Sequence, residues 1–152
     1  LEKIKLLVTR YDGIDTTKDT LFSILRCSLK LKKVVLHARD SIQFQAYEFS
    51  EFLQRISHLE SLELCLALRL VEDSIPLNFE LPLVNFTKLT RLRMDLGSED
   101  TERMYPFILS RSPLLRYLWL EPIKIKLDTL RKICRNLVCA RVIEIYSSFK
   151  SI

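Results

Sequence analysis

A six-residue pattern, aliphatic at its first, fourth and sixth positions, returns along the whole chain. It reads Leu1-Ile4-Leu6, Leu31-Val34-Leu36, Leu59-Leu62-Leu64, Leu89-Leu92-Met94, Leu115-Leu118-Leu120 and Leu137-Ala140-Val142. The first residues lie 30, 28, 30, 26 and 22 positions apart. The sixth occurrence is the least regular, and its register is open by one residue. One or two such hexads arise by chance in a chain with 29 Leu and 13 Ile among 152 residues, but six in order do not. A fixed period of this length is the mark of stacked structural units.

The physics of one unit follows from its periodicity. The end of each hexad alternates as a strand does. Leu62, Leu64 and Leu66 point one way, and Ser61, Glu63 and Cys65 the other. Between hexads the apolar residues take helical spacing. Phe49, Phe52, Leu53 and Ile56 make one stripe. Leu21, Ile24 and Leu25 make a shorter one, with Thr16 or Thr17 as N-cap candidate, and Leu127, Leu130 and Cys134 a third. Glu99, Asp100 and Glu102 suit a helix N-terminus, and Pro106 predicts that this helix begins late or kinks. The stretch from Arg69 to Phe86, with Pro76 and Pro82, reads as a loop with at most a short helix. A strand and a helix in each unit cannot bury an apolar stripe alone. Stacking yields an α/β solenoid of about six units, curved because helices are wider than strands. Its parallel sheet lines the concave face and its helices the convex one.

Outward strand positions then line the concave face. They are Lys3, Lys5 and Leu7; Lys33, Val35 and His37; Ser61, Glu63 and Cys65; Arg91, Arg93 and Asp95; Tyr117, Trp119 and Glu121; Cys139, Arg141 and Ile143. Lys and Arg outnumber Asp and Glu, so the expected ligand is an acidic or phosphorylated protein segment. The candidate contact residues are Arg91, Arg93, Tyr117, Trp119, Lys33, Lys5 and Arg141. Arg91 and Arg93 sit two apart on one strand and can both reach one anion. Tyr117 and Trp119 fall on the next strand, and arginine beside exposed aromatics is a hot-spot composition. The same pattern also suits a solvated face on which Arg stacks against Trp for its own sake.

The run Pro106-Phe-Ile-Leu-Ser-Arg-Ser-Pro-Leu-Leu-Arg-Tyr-Leu-Trp-Leu120 resembles the helix-to-strand junction of leucine-rich repeats of the F-box type. So do Leu130-Arg-Lys-Ile-Cys-Arg-Asn-Leu137 and Ile24-Leu-Arg-Cys-Ser-Leu-Lys-Leu31. Cys134 and Cys27 take the place of that family's junction cysteine; at the other junctions Ile56, Phe86 or Ser112 stands there. The resemblance implies one leucine-rich-repeat domain over residues 1–152; with no polar capping unit legible at either end, the chain is expected to be a fragment of a longer protein. It also implies substrate recognition for a ubiquitin ligase, the ligase adaptor being bound by an F-box outside this chain. A scaffold or regulator unconnected with ubiquitin is the alternative. A surface for RNA or phosphoinositide is a second.

Other chemistries find little footing. His37 and His58 have no ligand partners at metal-site spacing, Cys134 and Cys139 form no CxxC pair, and Gly13 and Gly97 are isolated. No metal, cofactor or active site is therefore expected. The net charge of +5 comes without a block of like charges or a groove-reading motif, so nucleic acid is not the expected partner. Leu62–Val71, the most apolar run, contains Glu63 and Arg69 and is too short to span a bilayer. With no secretory leader pattern, and four Cys read as reduced thiols, the expected compartment is cytoplasmic or nuclear.

Overall fold

The computed structural model describes residues 2–8, 14–27, 30–38, 41–71, 83–96, 98–120, 126–137 and 141–145. The strands are β1 (Lys3–Val8), β2 (Lys33–Ala38), β3 (Ile42–Phe44), β4 (Ser61–Leu70), β5 (Arg91–Leu96), β6 (Tyr117–Leu120) and β7 (Val142–Ile145). The helices are α1 (Ile14–Cys27), α2 (Ala46–Ile56), α3 (Ser98–Ser110) and α4 (Leu127–Asn136). The chain is α/β. Among the described residues seven strands form one sheet, in the order β1-β2-β4-β5-β6-β7 with β3 off this path and paired to β4, and every pairing is parallel.

The hexads enter this sheet in step. Ile4 aligns with Val34, Val34 with Leu62, Leu62 with Leu92 and Leu92 with Leu118. Each strand entrance is tied to the next in the same way. The carbonyl of Glu2 accepts from the amides of Lys32 and Lys33, and that of Lys32 from Glu60 and Ser61. The carbonyls of Glu60, Thr90 and Arg116 do likewise for the pairs that follow. Tight turns precede these entrances: the amides of Leu59, Leu89, Leu115 and Leu137 donate to the carbonyls of Ile56, Phe86, Ser112 and Cys134.

One face of the sheet is dry. Val34, Leu36, Leu62, Leu64, Leu92, Met94, Leu118 and Leu120 are all buried, and the helices bring Leu21, Leu25, Phe49, Phe52, Leu53, Met104, Tyr105, Ile108 and Ile133 into the same core. Phe44 stands at the centre of an aromatic cluster, 6.0 Å from Phe22, 5.7 Å from Phe49 and 5.3 Å from Phe52 between ring centroids. These spacings are typical of rings that attract beyond the area they bury. Phe44 belongs to β3, a three-residue strand absent from the sequence expectation. β2 runs beside the first half of β4, and β3 pairs Ile42 with Leu68 and Phe44 with Leu70 in the second half. Between β4 and β5 the register slips, Leu64 facing Met94 and Ala67 facing Asp95. The slip leaves Cys65 and Leu66 as two extra residues on β4. An even number preserves the alternation of faces.

Four local expectations change. The α2 stripe is buried as expected, but in α4 Leu127 and Cys134 are exposed. The α4 face that turns inward carries Thr129 and Ile133, because the helix starts at Leu127 and places that residue at its open end. α1 begins at Ile14, so Thr16 and Thr17 lie inside its first turns. α3 runs continuously from Ser98 through Pro106. The proline ring removes one intrahelical bond, and the burial of Met104, Tyr105, Ile108 and Leu109 on the core side offsets that loss. The fourth change concerns the last strand. Its pairing is Tyr117 with Val142, Leu118 with Ile143 and Trp119 with Glu144. The turn at Leu137 matches the earlier ones, yet β7 enters three residues later relative to it than β4, β5 and β6 do to theirs. Gly13, Gly97, Pro76, Pro82, Glu121 and Cys139 lie outside the described residues.

Candidate functional site

Among the described residues the second face of the sheet carries none of the helix side chains of the core, and its residues stand in rows across the strands. The first row runs Lys3, Lys33, Ser61, Arg91, Tyr117, Val142. The second runs Lys5, Val35, Glu63, Arg93, Trp119, Glu144. Leu7, His37 and Cys65 form a third. Neighbouring strands lie about 4.8 Å apart, so each row sets side chains of successive strands side by side.

Four of the seven candidate contact residues form two stacked pairs. The Arg91 guanidinium lies 4.7 Å from the Tyr117 ring centroid and that of Arg93 4.0 Å from Trp119. The two arginines differ in what else they meet. Arg93 reaches the Glu63 carboxylate at 3.4 Å. Arg91 is exposed and, among the described residues, meets no carboxylate. Tyr117 donates its hydroxyl to Glu144 Oε2 at 3.2 Å. Its hydroxyl ionises above the usual tyrosine value, chiefly because it is withdrawn from water and further because the Glu144 charge opposes a phenolate.

Lys33 and Lys5 fall in the first and second rows at the β1–β2 side, with Lys3 beside Lys33. They too meet no carboxylate among the described residues. Arg141 does not join the rows. It precedes β7 and hydrogen-bonds backbone to backbone with Arg116, while Val142 and Glu144 occupy the positions expected for Cys139 and Arg141. The cause is the later entry of β7 after its turn. The correction takes one cation off this face and adds Glu144. Positive charge is concentrated in the first row as a result, and Glu63 and Glu144 temper the second.

Beside the Arg93–Trp119 pair the slipped register of β4 opens a cleft of about 270 Å³, lined by Cys65, Leu66, Ala67, Arg93, Asp95 and Trp119 among others. A smaller hollow of about 90 Å³ lies between Ser61, Glu63, Arg91, Arg93 and Tyr117. The larger cleft falls short of a typical small-molecule site, about 300–1,000 Å³, and suits an inserted side chain.

A third cluster escaped the sequence reading. His37 Nε2 lies 3.5 Å and Cys65 Sγ 3.7 Å from the same oxygen, Glu63 Oε1. The three residues stand at separations no linear ligand motif uses, so a search by spacing passes over them. All three were nevertheless legible as outward positions, and aligning the hexads of β2 and β4 would have set His37 against Cys65.

The chain matches no family model, no curated protein and no solved structure. No described helix is long and apolar enough to cross a membrane.

Proposed function

We propose that the chain is a protein-binding module of stacked leucine-rich repeats, and that the helix-free face of its sheet holds an acidic or phosphorylated segment of a partner. The observation that carries this reading is the strip formed by Lys3, Lys33, Ser61 and Arg91, whose cations meet no carboxylate among the described residues. It runs beside the Arg–aromatic pairs and the 270 Å³ cleft. An extended segment crossing the strands would set its anionic groups on Lys33 and Arg91 and one side chain in the cleft against Trp119. A preformed sheet loses little ordering entropy on binding. Solenoid geometry is supported by the hexads in step, the sequential strand order and the recurring entrance bonds.

The resemblance of the Pro106–Leu120 run to F-box-type repeats extends the proposal to substrate recognition for a ubiquitin ligase. The adaptor would then be engaged through a region outside this chain. The test is affinity capture from cells with the parent protein, comparing wild type, Trp119→Ala, Arg91→Glu and the helix-side control Arg131→Glu. The expected result is that ligase adaptor and cullin subunits co-purify with all four. A subset of other partners should be lost only from the Trp119→Ala and Arg91→Glu captures, with melting temperatures unchanged. Absence of the ligase subunits from every capture would exclude the ubiquitin reading and leave a scaffold. Retention of every partner by both face variants would sink the binding face itself. If steep loss with salt accompanied captured RNA or phosphoinositide instead of protein, the anionic-ligand alternative would replace it.

A further inference from the structure

The geometry points to a zinc-binding site formed by His37, Glu63 and Cys65 on the helix-free face of the sheet. Three donor atoms of different chemistry, an imidazole nitrogen, a thiol sulfur and a carboxylate oxygen, lie within 4.8 Å of one another. His37 comes from β2, and Glu63 and Cys65 from the neighbouring β4, whose pairing sets His37 directly against Cys65. The backbone of two hydrogen-bonded strands thus fixes the donors before any ion arrives.

The two separations to the Glu63 oxygen suit zinc. Zinc binds nitrogen and oxygen at about 2.0–2.2 Å and sulfur at about 2.3 Å, and tetrahedral angles then set the donors roughly 3.3–3.6 Å apart. The nitrogen-to-oxygen distance here is 3.5 Å and the sulfur-to-oxygen distance 3.7 Å. The donor set excludes the harder ions. Magnesium and calcium take oxygen ligands, whereas mixed nitrogen, sulfur and oxygen donors are those of zinc.

A second observation is independent of these distances. His37 Nε2 is shut off from solvent and makes no hydrogen bond among the described residues, its approach to Glu63 lying outside hydrogen-bond geometry. A buried polar atom without a partner is costly, and a metal in the cluster would satisfy it. Arg93 approaches the same oxygen of Glu63 at 3.4 Å. A carboxylate has two oxygens, so when the ion takes Oε1 the Arg93 guanidinium passes to Oε2 as an outer hydrogen-bond partner. Stacking on Trp119 holds the guanidinium on that side. Three protein ligands leave the fourth tetrahedral position to water. Binding releases the thiol proton, so affinity rises with pH.

Cobalt(II) reports the site, because a thiolate ligand gives a near-ultraviolet charge-transfer band that other ligands do not. Titrating the purified chain with cobalt should give the band at one equivalent, and zinc should abolish it by displacement. Cys65→Ser should lose the band, and His37→Ala should weaken cobalt binding more than about 10-fold, the least that even outer-shell losses cost. The double variant Cys27→Ser with Cys134→Ser, both exposed thiols, should keep the band. No band in wild type would overturn the proposal, as would a band that survives Cys65→Ser or disappears with the two exposed thiols. Partner capture is read separately, so the failure of either reading leaves the other standing.

Discussion

Tyr117 shows how one side chain on the exposed face reports its neighbours. Its hydroxyl donates to Glu144, and both the withdrawal from water and that carboxylate favour the neutral phenol. Arg91 and Arg93 pull the other way. The sign of the pH effect follows. A group whose ionisation is raised in the folded state contributes stability that is fully present below its ordinary value of 10.0 and is lost as pH climbs through the raised one. Glu144→Gln removes the opposing charge, so Tyr117 should ionise at lower pH in that variant than in wild type. The measurement is phenolate absorbance, taken as the difference between each protein and its Tyr117→Phe counterpart. An unchanged or higher midpoint would mean that Glu144 is not beside Tyr117, and that the register of β7 differs from Trp119 facing Glu144.

At the scale of elements, α2 carries the densest set of local devices. Its stripe of Phe49, Phe52, Leu53 and Ile56 is buried, and all four were legible from spacing alone. Its start was not, because Gln45 is an unusual residue for the position. Glu48 supplies what Gln45 lacks. One carboxylate oxygen accepts from the Gln45 amide at 2.8 Å, and Lys18 of α1 reaches across to the same carboxylate at 2.9 Å. Both partners of that ion pair are largely shielded. Glu48→Ala should therefore lower stability by about 1–2 kcal/mol, more than a surface ion pair is worth, through loss of a cap and of a charge-assisted bond. Denaturant unfolding reads it directly, and a change within error would show that α1 and α2 are held by the aromatic cluster alone. β3 was illegible for the opposite reason: three residues give no periodicity to count, and only the tertiary pairing with β4 makes them a strand.

For the whole molecule the decisive property is that strand order nearly follows chain order. Each strand touches only its neighbours in space, and among the described residues β1 and β7 have one partner apiece. Local opening then costs least at the ends. In amide hydrogen exchange, β4 and β5 should be protected longest and β1 and β7 shortest. Uniform protection would instead mean that the sheet opens as one cooperative unit. The same sequential order explains what the sequence could convey. Hexads specify strands and faces one unit at a time, so β1, β2, β4, β5 and β6 could be placed from them. The three extra residues between the Leu137 turn and β7 have no such signature, and the odd shift they introduce exchanged Arg141 for Glu144. The contact rows were hidden further, since they join side chains from different units.

A chain of contacts running between those rows has a consequence for the history of the sequence. His37 approaches Glu63, Glu63 meets Arg93, and Arg93 lies on Trp119. A charge reversal at position 63 would repel or strand both neighbours at once, and loss of Trp119 would release the arginine that Glu63 holds. Positions 37, 63, 93 and 119 should accordingly drift in concert among descendants of a common ancestor, each tolerating change only when the next in line has changed first. Such a lineage would carry its sheet as an inherited set of four letters instead of four independent sites.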